Sequence, residues 1–251
     1  MIQVIKIGGG VLENEAQRDA FLRQFAAIEG PKVLVHGGGR LATSMAERLG
    51  VETQMIDGRR VTDKETLDIV TMVYGGLVNK QVVAQLQTMG VNAIGMTGAD
   101  GGWMKAVKRP IKNGIDYGYV GDVVEVNGAH LRTLLDNGLT PVIAPITYST
   151  DGLLLNINAD TVASQTAISL APDVQLTFCF EKTGVLSNPD DESSLIARIT
   201  TESYTQLKAE GIVSGGMIPK IDNAFAAIEH GVQSVRITHA SNLQGGTIIV
   251  E

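Results

Sequence analysis

Residues 2–10 read IQVIKIGGG and residues 32–39 read KVLVHGGG. Each is a short apolar run that ends in three glycines. Each leads into a segment of helical periodicity, residues 13–28 after the first and Leu41, Met45 and Leu49 at i, i+4, i+8 after the second. Strand, glycine loop and helix, repeated within 50 residues, predict an α/β fold on a mostly parallel sheet. A run that is apolar without alternation suits a strand covered on both faces.

The same grammar continues along the chain. Thr62-Asp63-Lys64-Glu65 reads as a capping box opening a helix toward Met89, with a break at Gly75-Gly76. Residues 91–96 read as a strand, 103–126 as hairpins, 127–137 as a helix capped by Asn127, and 141–146 as one buried strand. Asn158 opens a helix with Ala159, Ala163, Ala167 and Ala171 on one stripe. Beyond it come a strand at 174–180, helices at 201–210 and 219–230, and strands at 233–238 and 247–250. Ala171-Pro172 is the expected boundary between two lobes, 1–171 and 172–251.

Composition narrows the function. The chain has 251 residues, 44% apolar and 19% charged, an ordinary globular mix. Glycine is in surplus, 29 residues or about 12% against about 7% on average, and 14 of the 29 lie in adjacent runs. The net charge of −7 argues against nucleic acid as a partner, since a phosphate backbone calls for a basic face. Cys179 is the only cysteine, which excludes an intrachain disulfide and suits a reducing, cytoplasmic setting. No apolar run has the length of a membrane span.

Glycine loops between strand and helix expose backbone N–H groups to an anion. Two of them on neighbouring strands suggest a polyanion, yet neither is a dinucleotide fingerprint or a P-loop. Lys6 sits on the first strand and Lys220 in the first turn of a helix, where a bound anion would offset its conflict with the helix dipole. Asp160 follows the N-cap Asn158, where a carboxylate suits the helix dipole, and could also hold the two lysines or help with a metal. Arg60 is suited to a carboxylate. Lys105, Lys108, Arg109 and Lys112 read as a solvated basic face. The four histidines have no metal-ligand spacing. Two lysines, two glycine loops and an aspartate suggest phosphoryl transfer, which needs charge neutralisation more than covalent groups. No base stands out, as expected for a carboxylate acceptor that is already ionised.

The motifs KIGGG (6–10), VHGGGR (35–40), GRRVTD (58–63), YVGDV (119–123), PVIAPI (141–146), NINADT (156–161), ISLAP (168–172), SGGMIPK (214–220) and GTIIV (246–250) follow one another in order. In this the sequence resembles the amino acid kinase family, and within it the branch acting on N-acylated glutamate. The resemblance implies a three-layer α/β/α sandwich. It implies an N-terminal lobe for the acylglutamate and dimerisation, and a C-terminal lobe for ATP with Mg2+ carried on it. The γ-carboxylate would be phosphorylated to an acyl phosphate, a step of arginine biosynthesis. By the same resemblance Lys6, Lys220 and Asp160 are the expected catalytic residues. Gly38, Gly39, Arg60 and Asn156 are expected to bind the acylglutamate. Gly8, Gly9, Glu181, Lys182, Thr183, Gly184, Val185, Leu186, Ile212, Val213 and Ser214 are expected to bind the nucleotide.

Three departures qualify the match. Glu181-Lys182-Thr183-Gly184 replaces the usual Asp-Val-x-Gly turn, little room for a helix follows Thr238, and nothing precedes the first strand. The last of these predicts a homodimer insensitive to arginine. Rival readings are a kinase for N-succinylglutamate, a kinase for aminoadipate or glutamate on a carrier protein, and an inactive ATP or amino-acid sensor. Neither nucleic acid nor membrane is an expected partner.

Overall fold

The computed structural model describes every residue except Asp57, Pro189 and Ser214 to Gly216, with Pro219 described by its backbone alone. The chain begins with β1 (Ile2–Ile7), α1 (Gly9–Glu13), α2 (Glu15–Ala26), β2 (Lys32–His36) and α3 (Gly39–Arg48). A small hairpin, β3 (Met55–Ile56) and β4 (Arg59–Arg60), precedes α4 (Lys64–Val70), a π-helix (Thr71–Val78) and α5 (Asn79–Thr88). Then come β5 (Ala93–Met96), β6 (Met104–Lys108), β7 (Gly121–Val126), α6 (Gly128–Asp136), β8 (Thr140–Ile143), β9 (Ile146–Tyr148), β10 (Leu154–Asn156) and α7 (Ala159–Leu170). The chain ends with β11 (Val174–Phe180), β12 (Arg198–Ile199), α8 (Thr201–Ala209), α9 (Met217–Glu229), β13 (Ser234–His239) and β14 (Thr247–Ile249).

Eight strands form the main sheet in the order β12-β14-β13-β11-β1-β2-β8-β5. The six from β13 to β5 run parallel, and β14 is antiparallel to β13. The first strand is therefore central, with Lys6 paired in register to Phe178 on one side and Val35 on the other. Alternation along the strands sends side chains to two separate cores. Val4, Val33, Val35, Leu176 and Phe178 meet α7 and α9 through Ala163, Ala167, Ala224 and Ala227. Ile5, Ile7, Leu34 and Val142 meet Phe21 and Phe25 of α2, Ala42 and Ala46 of α3, and Val82 and Leu86 of α5. Helices on both faces make the three-layer α/β/α sandwich expected from the sequence. A smaller sheet, β10-β9-β6-β7, stands beside it.

The same parity places the site. Lys6 shares a face with Val4, toward α7 and α9, while His36 shares a face with Leu34, toward α5.

Local expectations were corrected in three places. The cap of α4 is Asp63, whose carboxylate accepts from the N–H of Thr66 at 2.8 Å; Thr62 is buried and is not a cap. The apolar run at 141–146 is divided between β8 in the main sheet and β9 in the small one. The break at Gly75-Gly76 is a π-helix within a continuous helical rod. The N-caps Asn127 and Asn158 were read correctly: Asn158 Oδ1 accepts from the N–H of Asp160 at 2.7 Å. Residues 240–246 join β13 directly to β14 with no helix between them, in keeping with the shortness of that segment.

Candidate active site

The two glycine loops lie back to back at the carboxyl ends of β1 and β2, where parallel sheets bind ligands. The N–H of Gly37 donates to the carbonyl of Ile7 at 3.1 Å. A Cβ added to Gly9 would lie 3.1 Å from the Gly38 nitrogen and 3.3 Å from that of Gly39. Only glycine allows backbones this close.

On either side of this contact is a cavity. The larger, about 460 Å³, is lined by Lys6, Gly8 to Gly10, Arg40, Phe180 to Lys182, Gly184 and Lys220. The smaller, about 190 Å³, is lined by Gly37 to Gly39, Arg60, Tyr74, Arg109, Asn156 and Asn158. Gly39 borders both, so the two spaces meet at the second loop.

In the larger cavity Lys6 Nζ is 2.8 Å from Asp160 Oδ1, at the start of α7. Lys220, from the first turns of α9, sets its ammonium 3.8 Å from the centre of the Phe180 ring, and Lys6 lies 5.7 Å from the same ring. Burial pulls the Lys220 pKa below its ordinary value. Asp160 opposes that shift, neighbouring Lys6 adds to it, and Glu181 opposes it. Two cations beside one carboxylate are thus held at the end of a central strand, ready for an anion. At the rim Arg40 pairs with Glu181 at 3.2 Å, both well exposed. Cys179 also borders the cavity, but burial pushes its thiol up to about 12, so it is no nucleophile at neutral pH.

In the smaller cavity Arg60 is buried, and its Nη2 donates to the carbonyl of Gly39 and to Thr43 Oγ1, both at 2.8 Å. Its Nη1 donates to Thr53 Oγ1 at 3.3 Å. A guanidinium has five N–H donors, so part of it stays available to a ligand. Asn156 is also buried, and its Nδ2 donates to Thr62 Oγ1 at 3.0 Å.

The fold therefore brings Lys6, Lys220, Asp160, Gly8, Gly9, Glu181, Lys182 and Gly184 to one cavity or its wall, and Gly38, Gly39, Arg60 and Asn156 to the other. Val185, Leu186 and Val213 are buried side chains, and none of them, nor Thr183 or Ile212, lines the larger cavity. Ser214 lies outside the described residues. Sequence reasoning missed Tyr74, Arg40 and Phe180, and took Arg109 for a solvated side chain. Arg109 instead lines the smaller cavity and pairs with Asp122 at 2.6 Å. Alternation along β6 gave no signal for this, because it puts Arg109 on the face of Lys105 and Val107, opposite buried Met104 and Ala106. Among the described residues no group of three or more His, Cys, Asp or Glu is placed to hold a metal ion, and no helix is long and apolar enough to cross a membrane.

Paired lysines, abutting glycine loops and two cavities meeting at one loop, all at the carboxyl end of a parallel sheet, define a small-molecule phosphotransferase. The chain belongs to the amino acid kinase family, whose sequence profile matches residues 1–239. It is 53% identical to an acetylglutamate kinase of Phocaeicola vulgatus over 99% of this chain and 98% of that one. It is 42% identical to the acetylglutamate kinase of Methanopyrus kandleri over 98% of each chain. A crystal structure from Streptococcus mutans superposes with a TM-score of 0.78 at 31% identity, covering 99% of this chain and 98% of that one. The N-acetylglutamate synthase of Neisseria gonorrhoeae, solved with coenzyme A and N-acetyl-glutamate, shares the fold. Its TM-score is 0.83 at 23% identity, over all of this chain and 59% of that one.

Proposed function

We propose that the chain transfers the γ-phosphoryl group of ATP to the γ-carboxylate of N-acetyl-L-glutamate, an acyl-phosphate-forming step of arginine biosynthesis. The observation that carries the reading is the Lys6–Asp160–Lys220 cluster facing a cavity that joins the Arg60–Asn156 pocket at Gly39. ATP, with Mg2+ on its phosphates as part of the substrate, occupies the larger cavity, and the acylglutamate occupies the smaller. A carboxylate oxygen attacks the γ-phosphorus, the bond to the β-phosphate bridging oxygen breaks, and ADP leaves. The acceptor is ionised at neutral pH, so no proton has to be removed. The obstacle is repulsion between a carboxylate and a triphosphate. Lys6, Lys220 and the loop N–H groups relieve it from fixed positions, which is how electrostatic catalysis acts. Arg60 and Asn156 receive the α-carboxylate.

Every residue lining the smaller cavity precedes residue 160, while the larger draws on both ends of the chain. This supports lobes at 1–171 and 172–251, with the acylglutamate on the first and the nucleotide on the second. We place the enzyme in the cytoplasm, as a homodimer. Met72 and Leu77, 57% and 40% exposed on the π-helix, supply apolar surface for a second copy.

One observation favours a larger acyl group. Arg109 brings a second guanidinium to the pocket, held there by Asp122 through Nε and Nη2. N-succinyl-L-glutamate carries a further carboxylate that would match it. The test is ADP release across N-acetylglutamate, N-succinylglutamate, free glutamate and aminoadipate. Turnover on an N-acylglutamate, lost by about 10²-fold in Lys6→Ala and Lys220→Ala, supports the reading. Turnover on none of the four, or unimpaired lysine variants, refutes it.

A further inference from the structure

The segment Thr71–Val78 is π-helical, and the N–H of Asn79 donates to the carbonyl of Tyr74, five residues back. Such turns are rare and concentrate at functional sites. In an α-helix, side chains five apart diverge by about 140°. A five-residue hydrogen bond brings them to one side of the rod, Tyr74 against the second glycine loop and Asn79 against His36, the residue that leads into it. The Tyr74 ring occupies the space a side chain at Gly38 would need, with Cδ1 2.8 Å from the position of a Cβ there. Its hydroxyl is 4.0 Å from the equivalent point at Gly39, and Arg60 Nη2 is 3.9 Å from that same point, so hydroxyl and guanidinium converge on one glycine at the wall of the smaller cavity.

Asn79 is 1% exposed. Its Nδ2 lies 3.1 Å from His36 Nε2 and 2.9 Å from the carbonyl of Val142, while its Oδ1 accepts from Lys80 Nζ at 3.1 Å. That network assigns the amide as the donor to Nε2, so Nδ1 carries the imidazole proton and donates to the carbonyl of Gly37 at 2.8 Å. Tyr74 and Asn79 thus hold Gly37 to Gly39 at both ends.

We propose that Tyr74 and Asn79, aligned by the π-helix, are positioning residues for phosphoryl transfer: Asn79 fixes the loop through His36, and the Tyr74 hydroxyl aims Arg60 at the acylglutamate carboxylate. The role of Tyr74 rests on the acylglutamate reading of the smaller cavity; the role of Asn79 is a property of the free protein.

Tyr74→Phe keeps the ring and removes only the hydroxyl. The expected result is a KM for N-acetyl-L-glutamate raised about tenfold, with the KM for ATP within about twofold and Tm lowered by no more than about 6 °C. An unchanged N-acetyl-L-glutamate KM, or equal rises in both KM values, overturns the role of Tyr74. Asn79→Leu keeps the branched shape and heavy-atom count and removes the hydrogen bonds. In the ligand-free protein, amide hydrogen exchange at Gly37, whose N–H donates to the carbonyl of Ile7, should quicken about tenfold or more beyond any change at β1. A loop that exchanges as in the wild type, or no faster than β1, overturns the role of Asn79. Should the wild type fail to phosphorylate any N-acylglutamate, the functional reading and the role of Tyr74 fall together, while the exchange result still decides the role of Asn79.

Discussion

Three adjacent glycines, Gly8 to Gly10, face three different environments, and alanine at each should give a different result. At Gly9 the new methyl would sit 3.1 Å from the Gly38 nitrogen and 3.3 Å from the Gly38 Cα, all backbone atoms. Ordinary carbon contacts begin near ~3.5 Å, so the two loops must part by a few tenths of an ångström. Overpacking of this kind costs about 1–3 kcal/mol. Replacing a helical glycine returns about 0.5–1 kcal/mol. The net, about 0–2.5 kcal/mol, lowers Tm by up to roughly 10 °C in a chain of this size. Misplacement of reacting groups costs about 10² per ångström, so a few tenths should lower kcat about 3- to 10-fold.

At Gly8 an added Cβ meets nothing within 4 Å, and the backbone, φ −72° and ψ 153°, suits any residue. Gly8→Ala should therefore keep its Tm, but its methyl projects into the larger cavity and should raise the KM for ATP about tenfold or more. At Gly10 the neighbour is Arg40 Nη1, 3.1 Å away, the movable end of a flexible side chain. Gly10→Ala should hold or gain stability by up to about 1 kcal/mol. Calorimetry and steady-state kinetics on the three variants separate these outcomes. If Gly9→Ala is as stable and as active as the wild type, the loops are not in contact and the division into two adjoining cavities is wrong.

Lys220 should set an alkaline limit on activity. Its pKa lies below 10.5, so its charge is lost as pH rises through that lowered value, and kcat/KM should fall earlier than an ordinary lysine allows. Lys220→Arg should push that limb upward, and an unmoved limb would dissociate it from Lys220. His36 is buried, with a pKa lowered to about 4 from 6.5, chiefly by burial. The unfolded chain then binds a proton that the folded one refuses. The stability from this source is complete above pH 6.5 and is lost as pH falls toward 4, by at most about 3 kcal/mol at about 1.36 kcal/mol per pH unit. Urea unfolding of wild type and His36→Asn at pH 4.5 and 7 should show a smaller acid loss in the variant; equal losses would place the titration elsewhere. Asp160→Asn should lower kcat about tenfold or more by freeing Lys6, and a neutral outcome would remove Asp160 from the site. Sedimentation should give a dimer that Met72→Glu weakens; a monomeric wild type would refute the packing surface.

The frame was legible wherever both faces of an element are buried. β1, β2 and β11 begin and end where the sequence placed them, because strands covered on both sides are apolar throughout. Helix starts were legible where an asparagine supplies the cap, as at Asn127 and Asn158. Thr62 misled because it has the composition of a cap, yet its hydroxyl is needed by Asn156, 94 residues away. The division of 141–146 was invisible because an apolar run does not state which sheet it joins. Lys6 and Lys220 stood out as charges in unusual local settings, whereas Asp160 occupies a first turn where a carboxylate is ordinary, and its pairing with Lys6 appears only in the fold. His36, Tyr74 and Asn79 did not stand out, since a buried polar residue is justified only by its partner, and Asn79 finds His36 across 43 positions.

The acidic balance of the chain and its proposed anionic substrates are compatible because charge is sorted by place. At net −7, the molecule brings Lys6, Arg40, Lys182 and Lys220 to one cavity, where the carboxylates of Asp160 and Glu181 are each engaged by one of these cations. The engagements differ in kind. Arg40 and Glu181 are exposed, and a pair of that sort is worth about 0–1 kcal/mol, so Arg40 can exchange Glu181 for a phosphate at little cost. Lys6 is largely enclosed, and Asp160 holds it at 2.8 Å. The inner cations are therefore set before the substrates arrive and the outer one is free to follow them. That order suits a reaction whose barrier lies in bringing two anions together, because the groups nearest the transferring phosphoryl need not reorganise as charge shifts onto it.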